Sequence, residues 1–230
     1  GDTAFEAWSA LALGVLGFLS AEQGNDVPAA IPTALLTEFR AARAPDLLGA
    51  CAIGLGLLKY GPAIAPLAVQ MDRVQEPEFL GYGAVALGLL GAHTESPRLF
   101  ALLEEHRRDP ELLRQAAIGL GLLGDPAVRD SLHEMLAPSD GQRASLSVLA
   151  ASATAIGFVG DARSVPPLIE ILDNQQRPAL ARSFAAVALG LLADKEWLPW
   201  NAPLSADLNY RAAVSTLIEK SVANGILDIL

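Results

Sequence analysis

Side chains that commonly carry catalysis are sparse in this chain of 230 residues, which contains three histidines and one cysteine. The histidines are far apart in the sequence and form no His-x3-His or Cys-x2-Cys pair of the kind that predicts a zinc site. No nucleophile elbow, P-loop or His-Glu-x-x-His motif occurs. We therefore expect no catalytic residue, no metal, no cofactor and no enzyme. We place His93 in a turn, His106 on a partly buried helix face and His133 on the solvent side of its helix.

Two short patterns resemble parts of known sites. Gly54-Leu55-Gly56 and Gly119-Leu120-Gly121 are similar to the beginning of a dinucleotide fingerprint, but no strand precedes either of them, so we interpret them as packing glycines. Three acids follow apolar segments, and we expect them to cap the helices that come next. Two arginines are close enough in sequence to pair with them. The acids are Asp125, Asp161 and Asp194, and the arginines are Arg129 and Arg163.

The elements that position these residues are repeats built around six glycines. Each glycine has an alanine four residues before it, and aliphatic residues one before and two after. The intervals between the glycines, by subtraction of their numbers, are 42, 32, 33, 36 and 33 residues. Such a period is typical of a solenoid with one two-helix unit per repeat. The glycines are Gly14, Gly56, Gly88, Gly121, Gly157 and Gly190.

Each repeat is predicted to contain an A helix, which carries the glycine, and an amphipathic B helix. A glycine inside a helix costs about 0.5–1 kcal/mol relative to alanine. We infer that close approach of a neighbouring helix offsets this cost.

Cys51 stands five residues before its glycine, where the other repeats have Ser, Gly or Ala, so we expect a buried filler and not a nucleophile. Prolines should begin A helices at Pro45, Pro77 and Pro110 and B helices at Pro62, Pro97 and Pro126.

The repeats resemble the HEAT-like repeat family, in the bacterial subgroup called phycobilisome-lyase-type HEAT repeats. The residues that carry the resemblance are AAIGLGLLGDPAVRDSLHEML (116–136) and ATAIGFVGDARSVPPLIEIL (153–172), and it extends over residues 4–193. It implies a right-handed all-α solenoid of about six two-helix repeats. It also implies protein–protein binding, the role of most members, whereas a minority handle tetrapyrroles or nucleic acid.

The domain prediction is one elongated array over residues 1–193, followed by a C-terminal cap over residues 194–230. The first A helix is predicted at 2–19, begun by Asp2 or Thr3, and the first B helix at 30–43. We expect an unusually long A helix after the turn at 138–141 and a last helix at 209–222. No equivalent cap is recognisable at the other end, so further sequence in front, such as other domains of a longer parent protein, is expected.

Composition limits the partners. A net charge of −10 disfavours nucleic acid and anionic membranes and is compatible with a basic protein or peptide, although it also serves solubility. Binding to nucleic acid would need a basic stripe on the folded surface. The apolar run Phe79–Ala92 spans 14 residues, fewer than the ~18–20 of a membrane-spanning helix. We therefore expect a protein without a transmembrane or signal segment and leave its compartment open.

The candidate site is a row of polar B-helix positions. If the B helices line a concave face, these residues form an acidic groove for a partner segment; otherwise they are a solvated face. An accessory or lyase-like protein that holds a hydrophobic small molecule or chromophore is the alternative function. Trp197 and Trp200 are either a binding hot spot or cap packing. The groove residues are Glu38, Gln70, Glu104, Glu105, His133, Glu134 and Glu170.

Overall fold

The computed structural model describes residues 3–125, 127–138 and 145–193. These ranges contain eleven α-helices and no strand, so the all-α solenoid prediction is confirmed at the level of fold class. The A helices are α1 (Thr3–Glu22), α3 (Pro45–Leu57), α5 (Pro77–Leu89), α7 (Pro110–Leu123), α9 (Leu146–Val159) and α11 (Ala179–Ala193). The B helices are α2 (Ala30–Ala41), α4 (Ile64–Arg73), α6 (Ser96–Glu105), α8 (Ala127–Leu136) and α10 (Val165–Asp173).

Short 3-10 turns lead into three of the B helices: Gly61–Ala63, His93–Glu95 and Ala162–Ser164 precede α4, α6 and α10. Prolines begin α3, α5 and α7 as predicted, because the missing N–H is not needed in a first turn. Pro97 also stands in the first turn of α6, whereas Pro62 lies in the 3-10 turn before α4. The proline positions therefore predicted helix starts to within a turn.

Three predicted helix bounds differ from the structure. Helix α1 continues to Glu22, and α2 ends at Ala41. The prediction of an unusually long A helix after 138–141 is wrong, because α9 has 14 residues, as α7 does. Helix α9 begins where the Ser145 side chain accepts a hydrogen bond from the Val148 N–H, and it ends before Gly160, whose φ of +65° is left-handed.

Predictions that lie outside the described residues concern Asp2, Pro126, Asp194, the Trp197/Trp200 segment, the helix at 209–222 and the cap.

The described helices form two compact units, one with α1–α5 and one with α6–α11. In the first unit, A helices pack side by side, α1 on α3 and α3 on α5, while α2 and α4 pack on the A helices that follow them. The second unit repeats this arrangement: α7 packs on α9 and α9 on α11, with α6, α8 and α10 each on the next A helix. Every B helix thus covers the A helix of the next repeat.

The glycines permit the close contact between A helices that the sequence predicted. A Cβ added at Gly14 would lie 2.4 Å from the Cα of Gly54. One added at Gly157 would lie 2.4 Å from the Cβ of Leu191, and one at Gly121 2.7 Å from a Val159 methyl carbon. Carbon atoms in contact are normally about 3.5–4.0 Å apart. Any larger side chain would therefore force the helices to move.

Helix α1 qualifies the prediction that the chain has no transmembrane or signal segment. Its segment Ala4–Glu22 has 19 residues and a mean hydropathy of 1.5, so it is long and apolar enough to cross a membrane. A single such helix near the N-terminus is weak evidence, because core helices and signal sequences have the same composition. In the structure α1 packs against α3, in the most extensive helix contact of the described residues.

Candidate partner-binding surface

The structure separates the seven predicted groove residues into exposed and half-buried sets. Glu38, Glu105, Glu134 and Glu170 are exposed, whereas Gln70, Glu104 and His133 are half-buried. Glu38 on α2 and Gln70 on α4 belong to the first unit, and the other five lie on α6, α8 and α10 of the second. The most developed part of this surface is in the second unit.

A cleft of about 170 Å³ lies between α8 and α10 and brings together three of the predicted residues. His133 and Glu134 line it from α8, and Glu170 lines it from α10. Glu134 and Glu170 stand at the same place in their repeats, 13 residues after Gly121 and Gly157. The remaining lining residues are Asp130, Ala137, Pro167, Ile171, Asn174 and Arg177.

The lining of the cleft is acidic, because three carboxylates, on Asp130, Glu134 and Glu170, face one guanidinium, on Arg177. Arg177 is already engaged: its Nη1 donates to the carbonyl oxygens of Ala137 and Pro138 at 3.1 and 2.9 Å, at the C-terminal end of α8. A cation there also suits the helix dipole. Sequence reasoning missed Asp130, Asn174 and Arg177 as neighbours of the cleft. Arg177 and Asn174 follow α10 in the chain, and no spacing rule connects them with α8.

His133 does not lie on the solvent side of α8, so this prediction is wrong. Its Nε2 is buried and has no hydrogen-bond partner among the described residues. Burial lowers the pKa of the imidazole, and the nearby Arg129 adds to the effect. His133 stands next to the buried stripe residue Leu132, and it lines the cleft together with residues of α10. The cleft therefore holds a neutral histidine at pH 7.

Glu104 has a structural partner and is not a simple surface acid. Its carboxylate accepts a hydrogen bond from the Ser131 hydroxyl of α8, and it pairs with Arg107 Nε at 3.2 Å. Ser131 is buried, and its polar hydrogen therefore needs an acceptor. Glu104 thus joins α6 to α8, which leaves Glu134 and Glu170 as the clearer contact residues.

The predicted capping role of the turn acids is confirmed for Asp125 at the start of α8, whereas Asp161 caps the 3-10 turn Ala162–Ser164 that precedes α10. Asp125 accepts from the Ala127 N–H at 2.9 Å and from the Ser96 hydroxyl. Asp161 accepts from the Arg163 N–H at 2.9 Å and pairs with its guanidinium, and these hydrogen bonds lower the pKa of Asp161. Arg129 Nε contacts the adjacent Asp130 at 2.8 Å, and the charge of Arg129 also helps to lower the pKa of Asp161.

Cys51 is buried, as predicted, on α3 of the first unit. Burial raises the pKa of its thiol to about 12, and the charge of Glu38 adds to the shift. Such a thiol is a packing group and a poor nucleophile. Glu38 itself borders a shallow depression on α2 with Ala30, Thr33, Ala34 and Thr37.

Metal-ligating side chains do not converge over residues 3–125, 127–138 and 145–193, where no group of three His, Cys, Asp or Glu side chains could hold an ion. His93 is exposed in the 3-10 turn before α6, and His106 is half-buried at the end of α6, as expected from the sequence.

Residues 96–190, which span α6 to most of α11, match the family model described as HEAT repeats. The match supports a HEAT-like repeat family. HEAT repeats commonly act as protein-interaction scaffolds, in which stacked repeats form an extended binding surface. A search of curated proteins found no match. The matched segment contains the cleft between α8 and α10.

Proposed function

We propose that this protein is a non-catalytic interaction scaffold that binds a basic partner segment along its B-helix side. Glu134 and Glu170 are its central contacts, and Glu105 of α6 is a further contact in the same unit. The observation that carries the proposal is the repetition of an exposed glutamate at one repeat position on two adjacent B helices, with a cleft between them. The net charge of −10 favours the same class of partner.

The geometry also indicates the charges of the partner. Glu134 and Glu170 line the cleft from α8 and α10, so a segment that lies in the cleft would need a lysine or arginine for each carboxylate.

The alternative function, an accessory or lyase-like protein that holds a hydrophobic molecule or chromophore, has weaker support. The α8–α10 cleft, at about 170 Å³, is smaller than the ~300–1,000 Å³ of ordinary ligand sites, and most of its lining side chains are charged or polar. The phycobilisome-lyase subgroup stays a proposal based on sequence resemblance. Partner domains in a longer parent protein are compatible with the scaffold function.

The test is a pull-down from lysate of the native organism at low and moderate salt, followed by mass spectrometry. Glu134→Lys together with Glu170→Lys should abolish capture of a basic protein. The matched control, Glu22→Lys with Glu76→Lys, makes the same change of charge at exposed sites outside the cleft and should leave capture intact. Equal capture by both double variants would refute the acidic surface. A coloured or apolar small molecule that co-purifies, without a protein, would support the alternative function.

A further inference from the structure

Arg177 occupies a repeat position that has a structural role elsewhere in the chain. The residue 13 positions before the glycine is Arg43 in the second repeat and Gln75 in the third. Arg43 Nη1 donates to backbone carbonyl oxygens at the end of α2, the nearest at 2.8 Å, and Gln75 Nε2 donates to those at the end of α4, the nearest at 3.0 Å. Each side chain therefore caps the B helix that directly precedes it.

Arg177 caps a different helix from the one that precedes it. Its Nη1 donates to Ala137 and Pro138, 40 and 39 residues earlier, at the C-terminal end of α8, although the chain has just left α10. The Arg177 N–H also donates to the Asn174 carbonyl oxygen at 3.0 Å, in a turn that follows α10. The guanidinium thus joins the ends of α8 and α10 where both border the cleft.

The Arg177 guanidinium keeps donors that these contacts do not use. An arginine has five N–H donors, and the two on Nη1 are taken by the carbonyl oxygens. The other three have no acceptor, and no carboxylate pairs with the Arg177 charge, among the residues that the structure describes. Asn174 adds a donor at the same end of the cleft. Its Oδ1 accepts from the Gln176 N–H at 2.9 Å, which leaves its NH2 group for another acceptor.

The charges of the cleft are arranged in order along α8. Asp130 lies in the first turn of α8, where its carboxylate already pairs with Arg129 Nε at 2.8 Å. Glu134 lies one turn further on, and Glu170 lines the same cleft from α10. Arg177 binds beyond the last residue of α8. The cleft therefore has an acidic middle and a cationic end.

We propose that Arg177 selects a basic segment that also carries one Asp or Glu side chain, whose carboxylate binds the unused edge of the guanidinium. The inference rests on the proposed function, in which a Lys or Arg of the same segment meets Glu134 and Glu170. A guanidinium edge can bind a carboxylate through two parallel N–H···O bonds. Because two carbonyl oxygens already hold Arg177 in place, it loses little conformational freedom when the carboxylate binds. The acidic middle and the cationic end together fix the direction in which the charges of the segment lie.

The experiment exposes the immobilised full chain to two libraries of short peptides with random flanking residues. One library has a lysine fixed at its centre, and the other has an alanine there. Stronger retention of the lysine library tests the proposed function, and Glu134→Lys with Glu170→Lys should remove it. Enrichment of Asp or Glu among the retained lysine peptides, at one distance from the lysine, tests the role of Arg177. We expect the wild-type chain to show both preferences.

Arg177→Gln should remove the enrichment of Asp and Glu while the preference for lysine stays. The variant should keep the cap, because Gln75 donates to helix-end carbonyl oxygens from the same repeat position. Arg43→Gln is the matched control, since it makes the same substitution at a capping arginine outside the cleft. This control should retain the same peptides as the wild type, and circular dichroism should show that both variants are folded.

A retained peptide then gives a measurement that needs no folded variant of the protein. Replacement of its Asp or Glu by Asn or Gln should weaken binding to the wild-type chain about five-fold, as expected for a partly exposed ion pair. The same replacement should not change binding to the Arg177→Gln chain. A lysine preference without an acidic preference would overturn the inference and leave the proposed function standing. An Arg177→Gln chain that still selects Asp and Glu would also overturn it, and equal retention of the two libraries would overturn both proposals.

Discussion

Gly14 offers the sharpest test of how the A helices pack. In an open helix, Gly→Ala is stabilising by about 0.5–1 kcal/mol, because alanine loses less conformational freedom on folding. At Gly14 the new Cβ would lie 2.4 Å from the Cα of Gly54, more than 1 Å inside a normal contact. The obstacle is backbone, which cannot rotate away, so α1 and α3 must separate. Overpacking of this kind costs about 1–3 kcal/mol, so we expect Gly14→Ala to be destabilising by a net ~1–2 kcal/mol.

Gly190 provides a control in which the same substitution should have the opposite sign. It holds the same repeat position in α11, but a Cβ there meets no atom within 4 Å. Gly190→Ala should therefore be stabilising by about 0.5–1 kcal/mol. The helix-propensity gain is common to both sites, so the difference between the two variants, about 1.5–3 kcal/mol, measures packing alone.

The assay is urea unfolding followed by circular dichroism, with both variants compared with the wild type at the same protein concentration. Comparison of midpoints is appropriate because repeat proteins need not unfold in a single step. A Gly14→Ala variant as stable as Gly190→Ala would refute the close approach of α1 and α3. A destabilised Gly190→Ala variant would show that α11 is covered in the monomer.

Three further predictions follow from single side chains. With a pKa of about 12, only about one Cys51 thiol in ten thousand is ionised at pH 8. A thiol reagent should therefore label the native chain far more slowly than the urea-unfolded chain. Equal labelling rates would contradict the burial of Cys51. The pKa of His133 in the folded chain lies below its unfolded value of about 6.5. Below pH 6.5 the unfolded chain therefore binds more protons than the folded chain, and the free energy of unfolding should decrease as the pH falls below 6.5. Unfolding midpoints from pH 7.5 to 5 should depend less on pH in His133→Gln, and an unchanged dependence would exclude His133 as the source. The Asp109 side chain caps α7 by accepting hydrogen bonds from the N–H groups of Glu111 and Leu112. Asp109→Ala should therefore lower the free energy of unfolding by about 1 kcal/mol, whereas Asp109→Asn should lower it little. An equal decrease in the melting temperature of both variants would argue against the cap.

Much of the fold could be predicted because its signals are local. Prolines predicted the starts of α3, α5 and α7, and the spacing of small residues predicted which helix faces approach closely. The burial of Cys51 followed from the residue types at equivalent positions. The length of α9 was not predictable in this way, since it depends on the Ser145 cap, one residue among several that could begin a helix.

The candidate site was predicted only in part, because its properties depend on residues from different repeats. The positions of Glu134 and Glu170 follow from their place in the repeat, and both are exposed as expected. The half-burial of His133 differs from the exposure expected from its place on the helix, and the engagement of Glu104 follows from the Ser131 hydroxyl 27 residues away. Such contacts have no constant sequence spacing, so no periodicity could reveal them.

The sequence by itself determined the repeat, its period, the helical class and the small-residue contact surface, because each repeat must satisfy the same steric requirement at its glycine. Only the tertiary structure decided which of those repeated surfaces are filled. Leu13 and Leu55 have the same place in their repeats, and so do Gly157 and Gly190, yet one member of each pair is covered and the other open. Burial is a property of the neighbouring repeat, and a residue's own local sequence does not contain it.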